Sequence, residues 1–137
     1  MITLFALVSC TKTKLDCGDL LAQYAQKPEA LEFVDCKSGT GQTLYTAIYQ
    51  VPGANAEAVE RILVDDYGMG KLRFVGYNWE PEKGRYGQYG SQALQNINPN
   101  YTMLITMYAH AEDKEKGLII NRNKIPCFYV QVSIVEI

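Results

Sequence analysis

Leu44-Tyr45-Thr46-Ala47-Ile48-Tyr49-Gln50-Val51 reads as an extended segment with two distinct sides. Tyr45, Ala47, Tyr49 and Val51 share one side, and Leu44, Thr46 and Ile48 share the other, because successive side chains of a strand point to opposite faces. Pro52-Gly53 ends the alternation. After Asn55 the apolar residues return at helical spacing, at Val59, Ile62, Leu63 and Tyr67. This change of period predicts a strand, Leu44–Val51, followed by a helix, Ala56–Tyr67, with Asn55 as its N-cap. Glu57, Glu60 and Arg61 are expected on or near the wet side of that helix, and Gly68 and Gly70 release the chain.

Upstream, Asp16–Gln26 reads as a first helix with Asp16 as its cap and Leu20, Leu21 and Tyr24 on its apolar stripe; Pro28 stops it. Leu31–Cys36 follows as a strand, with Leu31 and Phe33 on one face and Val34 and Cys36 on the other, and Ser38–Gly41 is a turn. Downstream, Leu72–Trp79 is expected as one strand. A long connection over 81–100 follows, with one helical turn near Ser91–Ile97. Tyr101–Tyr108 is the next strand, Ala111–Lys124 is a charged hairpin arm turning near Gly117, and Cys127–Ile137 is the last strand. The order α-β-β-α-β-β-β, with tight hairpins, implies an α+β fold: an antiparallel sheet of about five strands with two helices packed on one face.

At 137 residues the chain is one domain's worth. A net charge of −2 lacks the basic face that a nucleic-acid partner needs. No apolar run reaches the roughly 18 residues required to span a bilayer. The four cysteines, Cys10, Cys17, Cys36 and Cys127, contain no CxxC pair and stand beside a single histidine, so neither a metal nor another cofactor is expected.

The opening residues carry the one resemblance in the chain. Ile2 to Val8 is apolar and uncharged, and Leu7-Val8-Ser9-Cys10 resembles the lipobox of small bacterial lipoproteins. The small Ser9 suits the approach of a signal peptidase, and the Cys10 thiol suits acylation. The resemblance covers only these ten residues. It departs from the pattern in having no Lys or Arg before the apolar run and a short apolar region. It implies a signal segment over 1–9, lipidation at Cys10, a tether over 10–15 and a single α+β domain over 16–137. It also implies a protein of the cell envelope, lipid-anchored and facing the periplasm. The other reading makes Ile2–Val8 the first strand of a cytoplasmic α+β protein.

Cys17 and Cys36 are the candidates for a disulfide, which an exported protein permits; Cys127, near a strand start, reads as a core residue. The loop Lys83–Gly90 is the candidate partner-binding surface. It sets Arg85, Tyr86 and Tyr89 among glycines, with Trp79 and Glu80 at its root, and such residue types dominate interface hot spots. His110 precedes Glu112 and Asp113, but no serine or cysteine motif accompanies it, and Ser38–Gly41 lacks the lysine and following helix of a phosphate loop. The residues therefore imply a non-enzymatic envelope protein with a protein partner, one form of which is an immunity protein that neutralises a toxin. The alternative is a small periplasmic hydrolase or ligand-binding domain using His110 or the aromatic loop.

Overall fold

Three ten-residue strands carry the strongest alternation in the chain, and they form the middle of the sheet. In a computed structural model, which describes residues 14–113, 115 and 117–137, these are β2 (Thr43–Pro52), β6 (Tyr101–His110) and β9 (Cys127–Glu136). The predicted signal segment, Cys10 and most of the tether lie outside the described residues.

All strand pairings are antiparallel. β1 (Glu32–Ser38) pairs with β2, β2 with β9 and β9 with β6. The far edge of β6 is shared by β5 (Gly87–Tyr89) and by β4 (Asn78–Pro81), which pairs in turn with β3 (Leu72–Val75). β9, last in the chain, therefore lies between β2 and β6. Its register aligns Ala47, Val132 and Ile105 in one row and Tyr49, Val130 and Met107 in the next, and all six are fully buried. A fully buried side chain of this kind contributes about 1.5–3 kcal/mol, so the three strands hold much of the apolar driving force.

The helices cover this inner face. α1 (Leu20–Tyr24) contributes Leu20, Leu21 and Tyr24, α2 (Gly53–Tyr67) contributes Ala56, Val59, Leu63 and Tyr67, and α3 (Gln92–Ile97) contributes Leu94 to one cluster with the sheet. The fold is thus α+β, an antiparallel sheet with its helices on one side. Two short strands, β7 (Glu112–Asp113) and β8 (Gly117–Leu118), make the charged hairpin arm.

Several elements differ from the sequence expectation in their bounds. α1 is capped by Asp19, whose carboxylate accepts from Ala22 N, and not by Asp16. α2 begins at Gly53, directly after Pro52, so Asn55 lies inside it. A Cβ at Gly53 would run into the Ile125 carbonyl oxygen, so the close crossing of this loop explains the glycine. Ile62 lies on the exposed side, whereas Glu60 is buried. The segment 72–79 is a hairpin and not one strand. Gly76 takes a positive φ of 63° at the first central turn position, where type II′ turns require glycine. In β1 a register shift between Phe33 and Asp35 puts Phe33 opposite Tyr49 and Cys36 opposite Ala47. The bulge thereby brings to one face two residues that simple alternation separates.

Candidate functional site

The structure places every predicted site residue except Cys10. Cys17 and Cys36 are disulfide-bonded, with Cα atoms 5.8 Å apart and a sequence separation of 19. The bond ties the segment leading into α1 to β1, the edge strand of the sheet. Cys10 lies outside the described residues.

The four residues of the predicted partner surface divide into two groups. Arg85, Tyr86 and Tyr89 are exposed. Arg85 approaches Glu82 at 3.8 Å, and the same carboxylate accepts from Arg73 Nε at 2.8 Å. That hydrogen bond, with the further charge of Arg73, Arg85 and Lys83, holds the Glu82 carboxyl below its usual range. Tyr89 meets Tyr67 edge-on at 5.3 Å, and Tyr67 donates to the Gln26 carbonyl; burial pushes the Tyr67 phenol up. Trp79, by contrast, faces the core. Its ring lies 5.6 Å from Phe74, and the Arg122 guanidinium sits 5.1 Å above it. The structure therefore does not join Trp79 to the exposed loop. The loop itself is shorter than the sequence implied, because β5 fixes 87–89 to β6 and α3 fixes 92–97.

Arg122 belongs to a buried charge cluster that sequence reading missed. Glu60 Oε1 accepts from Arg122 Nη2 at 2.5 Å, and Oε2 accepts from Leu72 N at 2.7 Å. The guanidinium also lies over the Phe128 ring at 5.7 Å. These contacts bind α2, β3 and the turn before β9 into one unit. A cleft of about 510 Å3 beside it is lined by residues including Glu57, Arg61, Asp65 and Lys71, whose mixed charges give it no single sign.

The outer sheet face brings together residues that the sequence holds far apart. The row Gln50, Tyr129, Tyr108 follows from the two registers through β9. Tyr108 and Tyr129 are half-exposed and stack nearly parallel, at 28° and 5.7 Å between centroids. Beside them β4 presents Asn78 and Glu80, since the intervening Trp79 points inward. His110 Nδ1 meets Asn78 Oδ1 at 2.5 Å. An amide oxygen can only accept, so in the neutral ring Nδ1 carries the proton and Nε2 keeps its lone pair. Asn78, Glu80, Tyr108, Ala109, His110 and Tyr129 enclose a depression of about 310 Å3. Cys127 is half-buried and not a core residue; its thiol donates toward Gln50 Oε1 at 3.8 Å and to the Phe128 carbonyl. The charge and hydrogen bond of Cys127 push the Tyr129 phenol above its ordinary value, with smaller contributions from burial and Tyr108.

β6 runs two residues past the expected end at Tyr108, and period-2 alternation carried to His110 puts Tyr108 and His110 on one side. Their neighbours Glu80 and Asn78 were hidden by the unrecognised hairpin at Gly76.

Among curated proteins no match is found, and no solved structure matches. Residues 7–79 match a family described as a domain of unknown function, DUF4952. The matched stretch supplies α1, β1, β2, α2, β3 and the first half of β4, while the central strands β6 and β9 follow it. It spans more than half of the 137 residues, and the chain belongs to the DUF4952 family.

Proposed function

We propose that this chain is an exported, lipid-anchored domain of the bacterial envelope, held at the membrane through Cys10 and serving to bind a protein partner. The observation that carries the reading is the Cys17–Cys36 disulfide. Disulfides persist in oxidising compartments and are rare in the cytosol, and this one begins seven positions after the lipobox-like Leu7-Val8-Ser9-Cys10. The bond speaks for export and against the cytoplasmic alternative. The partner surface is Arg85, Tyr86 and Tyr89, exposed side chains on a segment held in place by β5 and of the types that dominate interface hot spots. An immunity protein that neutralises a delivered toxin is one concrete form of this role.

The test has two parts. Labelled fatty acid should enter the wild-type protein in cells and be lost in Cys10→Ala, which should leave the membrane fraction. Label that survives the substitution rejects the anchor. Co-expression with the product of the neighbouring gene, directed to the periplasm, should show protection by the wild type. Protection should be lost when Arg85, Tyr86 and Tyr89 are all replaced by alanine, and full protection by that variant rejects the surface.

A second reading, a small ligand-binding domain, is favoured by the depression that gathers His110, Glu80, Tyr108 and Tyr129. Among the described residues no serine or cysteine lines it, and His110 is oriented by an amide and not by a carboxylate. These features suit holding a ligand better than attacking one.

A further inference from the structure

We propose that the depression on the outer sheet face takes a small organic cation, an ammonium or quaternary ammonium compound; this rests on the ligand-binding reading of that depression. Its volume, about 310 Å3, is at the small end of ligand pockets. It suits a molecule of a few heavy atoms.

The carboxylate and the two aromatic faces of the lining are electron-rich. The Tyr108 and Tyr129 rings stand nearly parallel with their centroids 5.7 Å apart, and a tyrosine face attracts a cation through its quadrupole. Glu80 supplies the one carboxylate of the lining among the described residues. Its register partner across the hairpin is Arg73, which could have neutralised it. The Arg73 guanidinium instead reaches Glu82 at 2.8 Å, and among the described residues Glu80 has no ion pair. His110 Nδ1 is engaged by Asn78, leaving Nε2 as an acceptor in the neutral ring. Among the described residues neither lysine nor arginine lines the depression. An anion would meet a carboxylate and two ring faces there, and an uncharged ligand would gain nothing from the charge of Glu80. A cation satisfies all of them together.

Choline chloride is the probe, titrated into the full-length protein at low salt and followed by the ring resonances of Tyr108, Tyr129 and His110. The parallel titration uses 3,3-dimethylbutan-1-ol, which has choline's shape without its charge. Choline should perturb these resonances saturably, and the neutral isostere should bind at least about fivefold more weakly. Replacing both tyrosines, Tyr108→Leu with Tyr129→Leu, should abolish choline binding, whereas Tyr108→Phe with Tyr129→Phe should retain it because the ring faces remain. Glu80→Gln should weaken choline about fivefold and leave the isostere unchanged. All three side chains are exposed at the surface, and an unchanged thermal unfolding curve will confirm that each variant folds. Equal uptake of choline and the isostere overturns the cation assignment but keeps a ligand site. Choline binding undiminished in the double leucine variant overturns the location. Saturable binding of neither probe removes both the assignment and the ligand-binding reading, and leaves the partner-binding reading to its own test.

Discussion

Tyr49 shows how a single buried side chain serves two elements. Its ring is fully buried on the inner face of β2, while its hydroxyl donates to Asp19 Oδ1 at 2.6 Å and accepts from Leu21 N at 3.0 Å. It thereby secures the start of α1, a helix too short to persist without tertiary contacts. Burial, followed by the hydrogen bond to the Asp19 carboxylate, raises the phenol far above its ordinary range. In the unfolded chain the phenol titrates near pH ~10. The folded state therefore keeps its proton where the unfolded state releases it, and stability falls as the pH rises above ~10. Tyr49→Phe is expected to cost about 1–3 kcal/mol at neutral pH through the partners left unsatisfied. It should also remove roughly one proton's worth of slope, about 1.4 kcal/mol per pH unit, from the alkaline fall. Urea unfolding of both proteins between neutral and alkaline pH measures both effects, and parallel alkaline slopes would refute the assignment.

At the scale of elements, the decisive contact is the Glu60–Arg122 pair. It reaches from the middle of α2 to the turn preceding β9, and through Leu72 N to the start of β3. Both side chains are largely buried, at 11% and 19% exposure, so water does little to replace a missing partner. Glu60→Ala leaves the guanidinium unpaired over the Trp79 and Phe128 rings and is expected to destabilise by about 3–5 kcal/mol. Adding Arg122→Met removes the orphaned charge while keeping an apolar stem against the rings, so the double variant should be more stable than Glu60→Ala alone. Denaturant unfolding decides this; a double variant at or below the single would show that no unpaired charge was at stake. The helix containing Glu60 was legible from its period. Which of its polar residues turned inward was not, because Glu60 lies at the border of the apolar stripe. Its burial depends on Arg122, 62 positions later.

For the molecule as a whole, the Cys17–Cys36 bond fixes the segment leading into α1 against an edge strand that is otherwise mostly exposed. Closing a loop of this size stabilises by roughly 3 kcal/mol in the chain-entropy account. Replacing both cysteines by serine is expected to lower stability by about that amount. Because the inner-face core remains, far-UV circular dichroism should still report a folded sheet. A double variant with wild-type stability would show that the bond constrains nothing beyond what the core already holds. Exposed groups such as the Asp35–Lys37 pair, 4.0 Å apart, add little at this scale because solvent screens them.

The sequence by itself determined the α+β class, the two-sided alternation of β2 and the helix after Pro52, and it offered Cys17 and Cys36 as the candidate disulfide. These follow from local period, turn chemistry and composition, which act within a few residues. Only the tertiary structure decided that the last strand lies between β2 and β6, that 72–79 folds back at Gly76, and that Glu60 is buried against Arg122. It also decided that Trp79 turns into the core while Glu80, Tyr108, Tyr129 and His110 meet on the outer face. The reason is physical: strand order, register and charge pairing depend on contacts between residues far apart in the chain, and no local pattern records which distant partner a strand edge or a buried charge will find.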